Sequence, residues 1–211
     1  LAQEVDILVL AVKPPQIQGL IEEIEDLLQA KSPLIISVAA GVTLKSLKRW
    51  VGNSARLVRS MPNLPALVGS GATGLYAEKN LSKQDHEQAE HLFRSVGTTL
   101  WVDKEDLLEA VAALSGSGPA YIFLIMEALA EAGKSLGLDA EAAQLLSLQT
   151  VTGAAKLALS SEASFAELRH RVTSKGGTTE QALAVLEKFK LKQAFTEALA
   201  AAFARSQELA Q

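Results

Sequence analysis

The chain has 211 residues, a net charge of −4, and 48% hydrophobic but only 5% aromatic residues. That composition suits one large domain or two modest ones with a core of Ala, Leu, Val and Ile rather than an aromatic-rich barrel. The acidic balance argues against a nucleic-acid binder, which carries a basic face, and the absence of cysteine excludes disulfides, zinc–thiolate sites and cysteine nucleophiles while fitting a reducing cytoplasm.

In chain order, the first residues Leu1-Ala2-Gln3-Glu4 lack a basic n-region, so no signal peptide is expected. The chain begins without Met directly before a strand-like run, and a further segment upstream is expected on that ground. Val5–Val12 reads as a buried parallel strand, ended by Lys13-Pro14-Pro15. Ile17, Leu20, Ile21, Ile24, Leu27 and Leu28 recur at helical spacing until Pro33. Leu34–Val38 reads as a second strand, Thr43–Val51 as a short helix and Arg56–Met61 as a third strand stopped by Pro62-Asn63-Leu64-Pro65. Gly74–Ala77 reads as a fourth strand. Ser82 with Asp85 marks a helix start followed by Ala89, Leu92, Phe93 and Val96, and Thr98–Val102 is a fifth strand. This alternation predicts a doubly wound α/β sheet over residues 1–103.

Beyond Asp103 the strand signal stops, and residues 104–211 are expected to form an all-helical domain. Leu107, Leu108, Val111 and Leu114 start a helix that meets Ser115-Gly116-Ser117-Gly118-Pro119, with Pro119 placed to open the next helix. Two glycines here are more than a kink requires, so a close backbone approach to a ligand or partner is expected. Ala120–Met126 is apolar on every side apart from the Tyr121 hydroxyl, which implies burial against a second subunit. Further helices are expected over Asp139–Leu159, Ser164–Val172, Thr178–Phe189 and Leu191–Leu209. Ser164/Glu167 and Thr178/Gln181 both fit capping boxes. No uninterrupted run of about 18 apolar residues is seen, so no membrane span is expected.

Val172-Thr173-Ser174-Lys175-Gly176-Gly177-Thr178-Thr179 carries the strongest chemical signal. Paired glycines let a backbone come close to a ligand, and threonines at a helix start sit among outward-pointing amides suited to an anion. A plain helix connection accounts for one glycine and one threonine, but not for both pairs. The turns after the first two strands, Ala11-Val12-Lys13-Pro14 and Val38-Ala39-Ala40-Gly41, lie where open α/β sheets bind cofactors, with Lys13 available to a phosphate. Neither is specific alone, and the glycine-rich dinucleotide fingerprint is absent from the sequence. Met61-Pro62-Asn63-Leu64-Pro65 is either a structural loop or a stiff wall beside the nicotinamide end of a cofactor. His86, His91 and His170 are scattered among charged residues, with neither metal-ligand nor hydrolase spacing, so no metal is expected.

Taken together, Ala11–Pro14, Ser37–Val42, Leu114–Tyr121 and Val172–Thr179, in this order, resemble pyrroline-5-carboxylate reductase. The resemblance runs over the whole chain and lacks that family's N-terminal βαβ portion. It implies a Rossmann-like domain, incomplete at its N-terminus, over residues 1–103, and an all-α dimerisation and substrate-binding domain over residues 104–211. It further implies reduction of L-1-pyrroline-5-carboxylate to L-proline with NADPH or NADH, in the cytoplasm, by an interlocked homodimer that assembles as a decamer of five dimers.

Residue by residue, the resemblance assigns Ala11, Val12, Lys13, Pro14, Val38, Ala39 and Ala40 to the cofactor. It assigns Glu105, Glu162, Val172, Ser174, Gly177, Thr178 and Thr179 to the substrate, with Thr179 facing the ring nitrogen as the catalytic residue and Thr178 capping the helix and helping to hold the carboxylate. Lys175, Leu64, Ala112 and Ser70 depart from the family's usual proline, threonine, threonine and acidic residue. Two other readings stay open. One is a β-hydroxyacid-type reductase of the same architecture, relying on Lys134, Lys156 or Lys175. The other is a non-catalytic dimerisation module.

Overall fold

The computed structural model describes residues 5–210. They pack as two compact units: one holds the chain up to Pro119 together with the C-terminal stretch from Leu199, and the other is Ala120–Ala198. The strand signal ends near Asp103, but the helix that follows is packed on the sheet, so the compact unit continues to Pro119.

The first unit is built on a five-stranded sheet, β1 (Ile7–Leu10), β2 (Leu34–Ser37), β3 (Arg56–Met61), β4 (Gly71–Tyr76) and β5 (Gly97–Trp101), arranged in that order. β1, β2 and β3 are parallel, and each crossover is helical: α1 (Ile17–Glu23) with α2 (Glu25–Lys31), then α3 (Leu44–Val51). The single helix expected before Pro33 is therefore two. It breaks at Ile24 (φ −110°, ψ 13°), and the second piece ends at Ser32 in the left-handed region. Alternation along β2 sends Ile35 to one face and Leu34 and Ile36 to the other. Ile35 joins Leu10, Ile17, Ile21, Leu47 and Leu57, while Leu34 and Ile36 join Val58, Leu75, Ala89 and Phe93. The second cluster includes α4 (Lys83–Arg94), whose N-cap is the expected Ser82, accepting from the Asp85 amide at 3.1 Å.

The expected α/β, Rossmann-like sheet with helices on both faces is found, and it is mixed rather than wholly parallel. β4 starts earlier than expected and runs antiparallel to β3, and β5 is parallel to β4. The cause lies in residues 62–70, which supply only one short 3-10 segment, Leu64–Val68. A parallel return requires a crossover of a dozen or more residues.

α5 (Leu107–Val111) continues through a π-helical turn (Ala112–Gly116) into α6 (Gly118–Ser135). Among the described residues, the stretch Leu107–Ser135 is long and apolar enough to cross a membrane by length and composition alone, a test that a core helix also passes. Its apolar side chains match equally a helix covered by another protein surface.

The second unit is wholly helical. α6 packs against α7 (Ala140–Leu159), where a Cβ at Gly133 would sit 3.3 Å from the Ala143 methyl, so glycine sets a close approach. Asp139 caps α7 through the Ala142 amide at 2.7 Å. α8 (Phe165–Arg171) carries the expected capping box: the Ser164 hydroxyl accepts from the Glu167 amide, and the Glu167 carboxylate accepts from the Ser164 amide at 2.7 Å. α9 (Thr178–Lys188) and α10 (Leu191–Leu209) follow. Among the described residues of this unit only Ala143 and Ser147 are buried, while Phe123 and Leu124 are 54% and 64% exposed. A lone copy therefore leaves its apolar side chains in water, a condition typical of a subunit whose core is completed by another.

Candidate functional site

At the carboxyl ends of β1 and β2 the first unit presents a ledge of small side chains. Ala11 and Ala40 are exposed, Val12 and Val38 half-buried and Ala39 buried, and Lys13 extends into solvent beside Pro14. The ledge is held from below. The Val38 amide donates to the Leu10 carbonyl at 3.2 Å, the Ala39 amide to the Ser37 hydroxyl at 3.3 Å, and the Ser60 hydroxyl to the Ser37 carbonyl at 3.0 Å. Gly41 then turns the chain at φ +78°, and Thr43 caps α3 by accepting from the Ser46 amide. Exposed alanines, a left-handed glycine and a free-standing lysine suit a flat, phosphate-bearing cofactor laid against backbone.

The second constellation lies in the other unit, between α8 and α9. The Gly177 amide donates to the Ser174 carbonyl at 3.0 Å, closing a tight turn with Lys175 and Gly176 at its centre. Gly176 sits at φ +74°, which explains the first glycine. Gly177 has an ordinary φ but no room: a Cβ there would come within 2.5 Å of the Ser174 hydroxyl oxygen and 3.1 Å of its carbonyl oxygen. Gly177, not Thr178, is the N-cap of α9, which corrects the capping-box expectation at Thr178/Gln181. The capping role passes to Glu180, whose carboxylate reaches back to accept from the Gly176 amide at 2.8 Å. Thr178 and Thr179 thus open the helix, with their amides leading it and the Thr179 side chain half-buried. Val172 ends α8 and is exposed, as is Ser174. Glu162 is exposed in the segment between α7 and α8.

Glu105 belongs to the first unit, where one carboxylate oxygen, Oε1, accepts from the Leu44 amide at 2.7 Å and from Arg59 Nη1 at 2.9 Å. Arg59 is 5% exposed, and its other arm donates to Glu109 Oε1 at 3.1 Å. Sequence reasoning did not single out Arg59 or Glu109. A charged residue in the middle of an apolar strand, Arg59 in Leu57–Met61, was the available signal. Burial and the neighbouring Glu105 and Glu78 carboxylates push the Tyr76 hydroxyl above its ordinary pKa.

The Pro-Asn-Leu-Pro loop is a clamp. Asn63 accepts from the Ala72 amide at 2.8 Å and donates to the Ser115 carbonyl at 2.9 Å, tying β4 to the π-turn. Gly116 does serve a close approach, but within the unit: a Cβ there would lie 3.0 Å from the Met61 methyl carbon. The five residues Ala112–Gly116 widen the helix, and the Ser117 amide reaches the Ala112 carbonyl at 2.9 Å. Among the described residues no group of three or more His, Cys, Asp or Glu could hold a metal ion.

A nucleotide-binding type of sheet followed by a helical unit places the chain in the Rossmann-like architectural class. The family described as pyrroline-5-carboxylate reductase dimerisation matches residues 105–209. The pyrroline-5-carboxylate reductase of Pseudomonas aeruginosa is 47% identical over 208 residues, 99% of this chain and 76% of that protein. The solved structure of a pyrroline-5-carboxylate reductase from Coxiella burnetii is 52% identical with a TM-score of 0.95, over 100% of this chain and 78% of that one. The Plasmodium falciparum pyrroline carboxylate reductase, solved with NADP bound, is 34% identical with a TM-score of 0.89, over 100% of this chain and 79% of that one. The chain belongs to the pyrroline-5-carboxylate reductase family, and its helical part is a dimerisation domain.

Proposed function

We propose that the chain reduces L-1-pyrroline-5-carboxylate to L-proline, the last step of proline biosynthesis, with NADPH or NADH as the reductant. When bound, the nicotinamide cofactor supplies the hydride. The observation that carries the reading is the Ser174–Thr179 turn, in a chain of this family: a left-handed glycine, a glycine with no room for a side chain, and two threonines opening an eleven-residue helix.

The ledge at Ala11, Val12, Lys13, Pro14, Val38, Ala39 and Ala40 fits the cofactor because nothing larger than Val or the exposed Lys13 stands on it. In the other unit, the leading amides of α9 suit the substrate carboxylate, where helix-end N–H groups and the helix dipole favour negative charge. Val172 and Ser174 flank that turn, and Thr178 contributes its amide and hydroxyl. Thr179 Oγ accepts from the protonated ring nitrogen and so keeps the iminium form oriented. Glu162 adds negative charge that favours the protonated form. Hydride addition to the ring carbon converts the C=N bond to C–N, and the nitrogen keeps its proton, so no strong protein acid is required. The work of the site is orientation and proximity. Glu105 enters as a positioning residue, since its Oε1 already holds α3 and Arg59.

Assembly into an interlocked homodimer, a decamer of five such dimers and residence in the cytoplasm extend the same reading. The exposed apolar faces of α6 and α7 support the dimer. The test is NADPH and NADH oxidation with pyrroline-5-carboxylate against β-hydroxyacids in the reverse direction, on wild type and Thr179→Ala. Turnover of the imine that falls in Thr179→Ala, by about 10- to 100-fold for a hydrogen bond to a charged group, supports the assignment. An unchanged kcat removes Thr179 from the mechanism, and turnover of hydroxyacids alone points to the lysine-dependent alternative.

A further inference from the structure

The end of α10 is packed into the first unit, where it abuts Gly41 directly and is linked through a chain of side chains to the start of α3, both just after the cofactor ledge of residues 38–40. Gly41 faces the Leu209 backbone: a Cβ there would overlap the Leu209 carbonyl oxygen and stand 2.9 Å from its carbonyl carbon. The chain of polar groups begins on α10 and finishes at the first amide of α3. The Ser206 hydroxyl donates to Glu109 Oε2. Glu109 Oε1 accepts from Arg59 Nη2 at 3.1 Å, Arg59 Nη1 donates to Glu105 Oε1 at 2.9 Å, and that same oxygen accepts from the Leu44 amide at 2.7 Å. Arg59 and Glu109 are each 5% exposed.

Stability alone is a poor account of this chain of groups. A buried ion pair gains little over well-packed apolar residues of the same size, because both charges lose their hydration. α3 already has a local cap, since Thr43 accepts from the Ser46 amide at 3.1 Å, and Glu105 adds a partner from far along the chain for the Leu44 amide. What the network adds is location. It fixes the start of α3 relative to β3, α5 and α10, while Leu209 fixes Gly41 three residues earlier. The turn is thereby held at Gly41 and again at Leu44 on its C-terminal side, while the Val38 amide on the Leu10 carbonyl holds it at the end of β2, which restricts its movement toward or away from a ligand.

We propose that the last turns of α10, through Ser206 and Leu209, form a strut that positions the Val38–Gly41 turn for the nicotinamide cofactor, with Ser206 and Glu109 as positioning residues. This rests on the reading that the turn meets the cofactor. Neither residue needs to touch cofactor or substrate. Their effect is on cofactor affinity, not on the chemical step.

The test uses the intact enzyme with Ser206→Ala, Ser206→Thr and Glu109→Gln. Ser206→Ala is expected to raise the KM and the directly measured Kd for NADPH about three- to tenfold, less than the full value of one hydrogen bond to a charged group because the residue acts on the cofactor only through the turn it positions. The kcat and the KM for pyrroline-5-carboxylate stay within about twofold by the same argument. Without cofactor, amide hydrogen exchange over Val42–Leu47 quickens in Ser206→Ala and returns toward wild type in Ser206→Thr. Glu109→Gln keeps the shape with a weaker acceptor and gives the same pattern more mildly, should Ser206→Ala fold poorly. Unchanged exchange over Val42–Leu47 overturns the strut, as does a rise in both KM values together. Faster exchange in a protein whose wild type binds no nicotinamide cofactor keeps the strut but overturns its cofactor role and the functional reading beneath it.

Discussion

Gly41 and Gly176 have nearly the same backbone, φ +78° and +74°, in very different surroundings, so alanine at each separates backbone strain from steric overlap. A side chain held in the left-handed region costs about 1–2 kcal/mol, and both variants carry that term. At Gly176 a Cβ meets nothing within 4 Å, so the backbone term stands alone. At Gly41 it overlaps the Leu209 carbonyl oxygen, with the carbonyl carbon at 2.9 Å and the Ala210 nitrogen at 3.4 Å. These are backbone atoms of a helix end and cannot rotate away as a side-chain tip would. Overpacking of this kind adds about 1–3 kcal/mol. For a chain of this size that excess corresponds to a Tm lower by roughly 2–12 °C in Gly41→Ala than in Gly176→Ala. Thermal unfolding of the two variants at one protein concentration, followed by circular dichroism, reads the difference directly. Kinetics should separate them as well: Gly176→Ala raises the KM for pyrroline-5-carboxylate, and Gly41→Ala that for NADPH. Equal Tm values for the two would refute the claim that α10 abuts the ledge turn.

Asn63→Ala strips partners from the Ala72 amide and the Ser115 carbonyl, and urea unfolding should show a loss of about 1–3 kcal/mol; a neutral result would mean the clamp is dispensable. The hydrogen bonds from the Ser164 hydroxyl and amide hold the Glu167 carboxylate below its ordinary pKa. Its contribution is therefore present above the unfolded-state value and disappears as pH falls through the lower folded one. Ser164→Ala should move the Glu167 carboxyl titration, read by NMR, upward, and an unmoved titration would show that the cap does not set it. Leu124→Glu, at an exposed apolar position on α6, should shift the sedimentation equilibrium toward monomer while leaving the helical circular dichroism of the associated fraction unchanged. Sedimentation identical to wild type would place the contact elsewhere.

The elements most legible in the sequence are those whose signal is local. Arg56–Met61 and Leu191–Leu209 are found with the expected ends, because a run of apolar residues closed by Pro62 and a helix-length periodic pattern are complete statements in themselves. The Ser82 and Ser164 caps are equally local. What the sequence withholds is set by partners far along the chain. The direction of β4 depends on how much chain lies between two strands, not on the residues of β4. Gly116 reads as a ligand- or partner-facing glycine until Met61 is seen against it, and the partners of Glu105, the Leu44 amide and Arg59, lie 61 and 46 residues away along the chain, where no local pattern shows them. Thr178 takes the role of cap by its position in a motif. The turn places Gly177 there instead, because the Ser174 side chain and carbonyl already fill the space a cap side chain would use.

The helical unit carries this dependence one level further. Phe123, Leu124, Leu145, Leu146 and Leu148 are each at least half exposed in the single chain, although α6 and α7 are long, regular and well capped where Asp139 opens the second. Helix formation here does not follow from burial within one copy, and in proteins most helical stability comes from packing of an apolar face rather than from propensity. These exposed apolar faces are consistent with the dimerisation domain to which residues 105–209 belong. α8 and α9 on either side of the Gly176–Thr179 turn also lack buried residues among those described, so the order of that turn is expected to depend on self-association. Dilution of the enzyme to the point of dissociation should accordingly abolish substrate binding before it affects the sheet unit, whose two apolar clusters are complete within one chain.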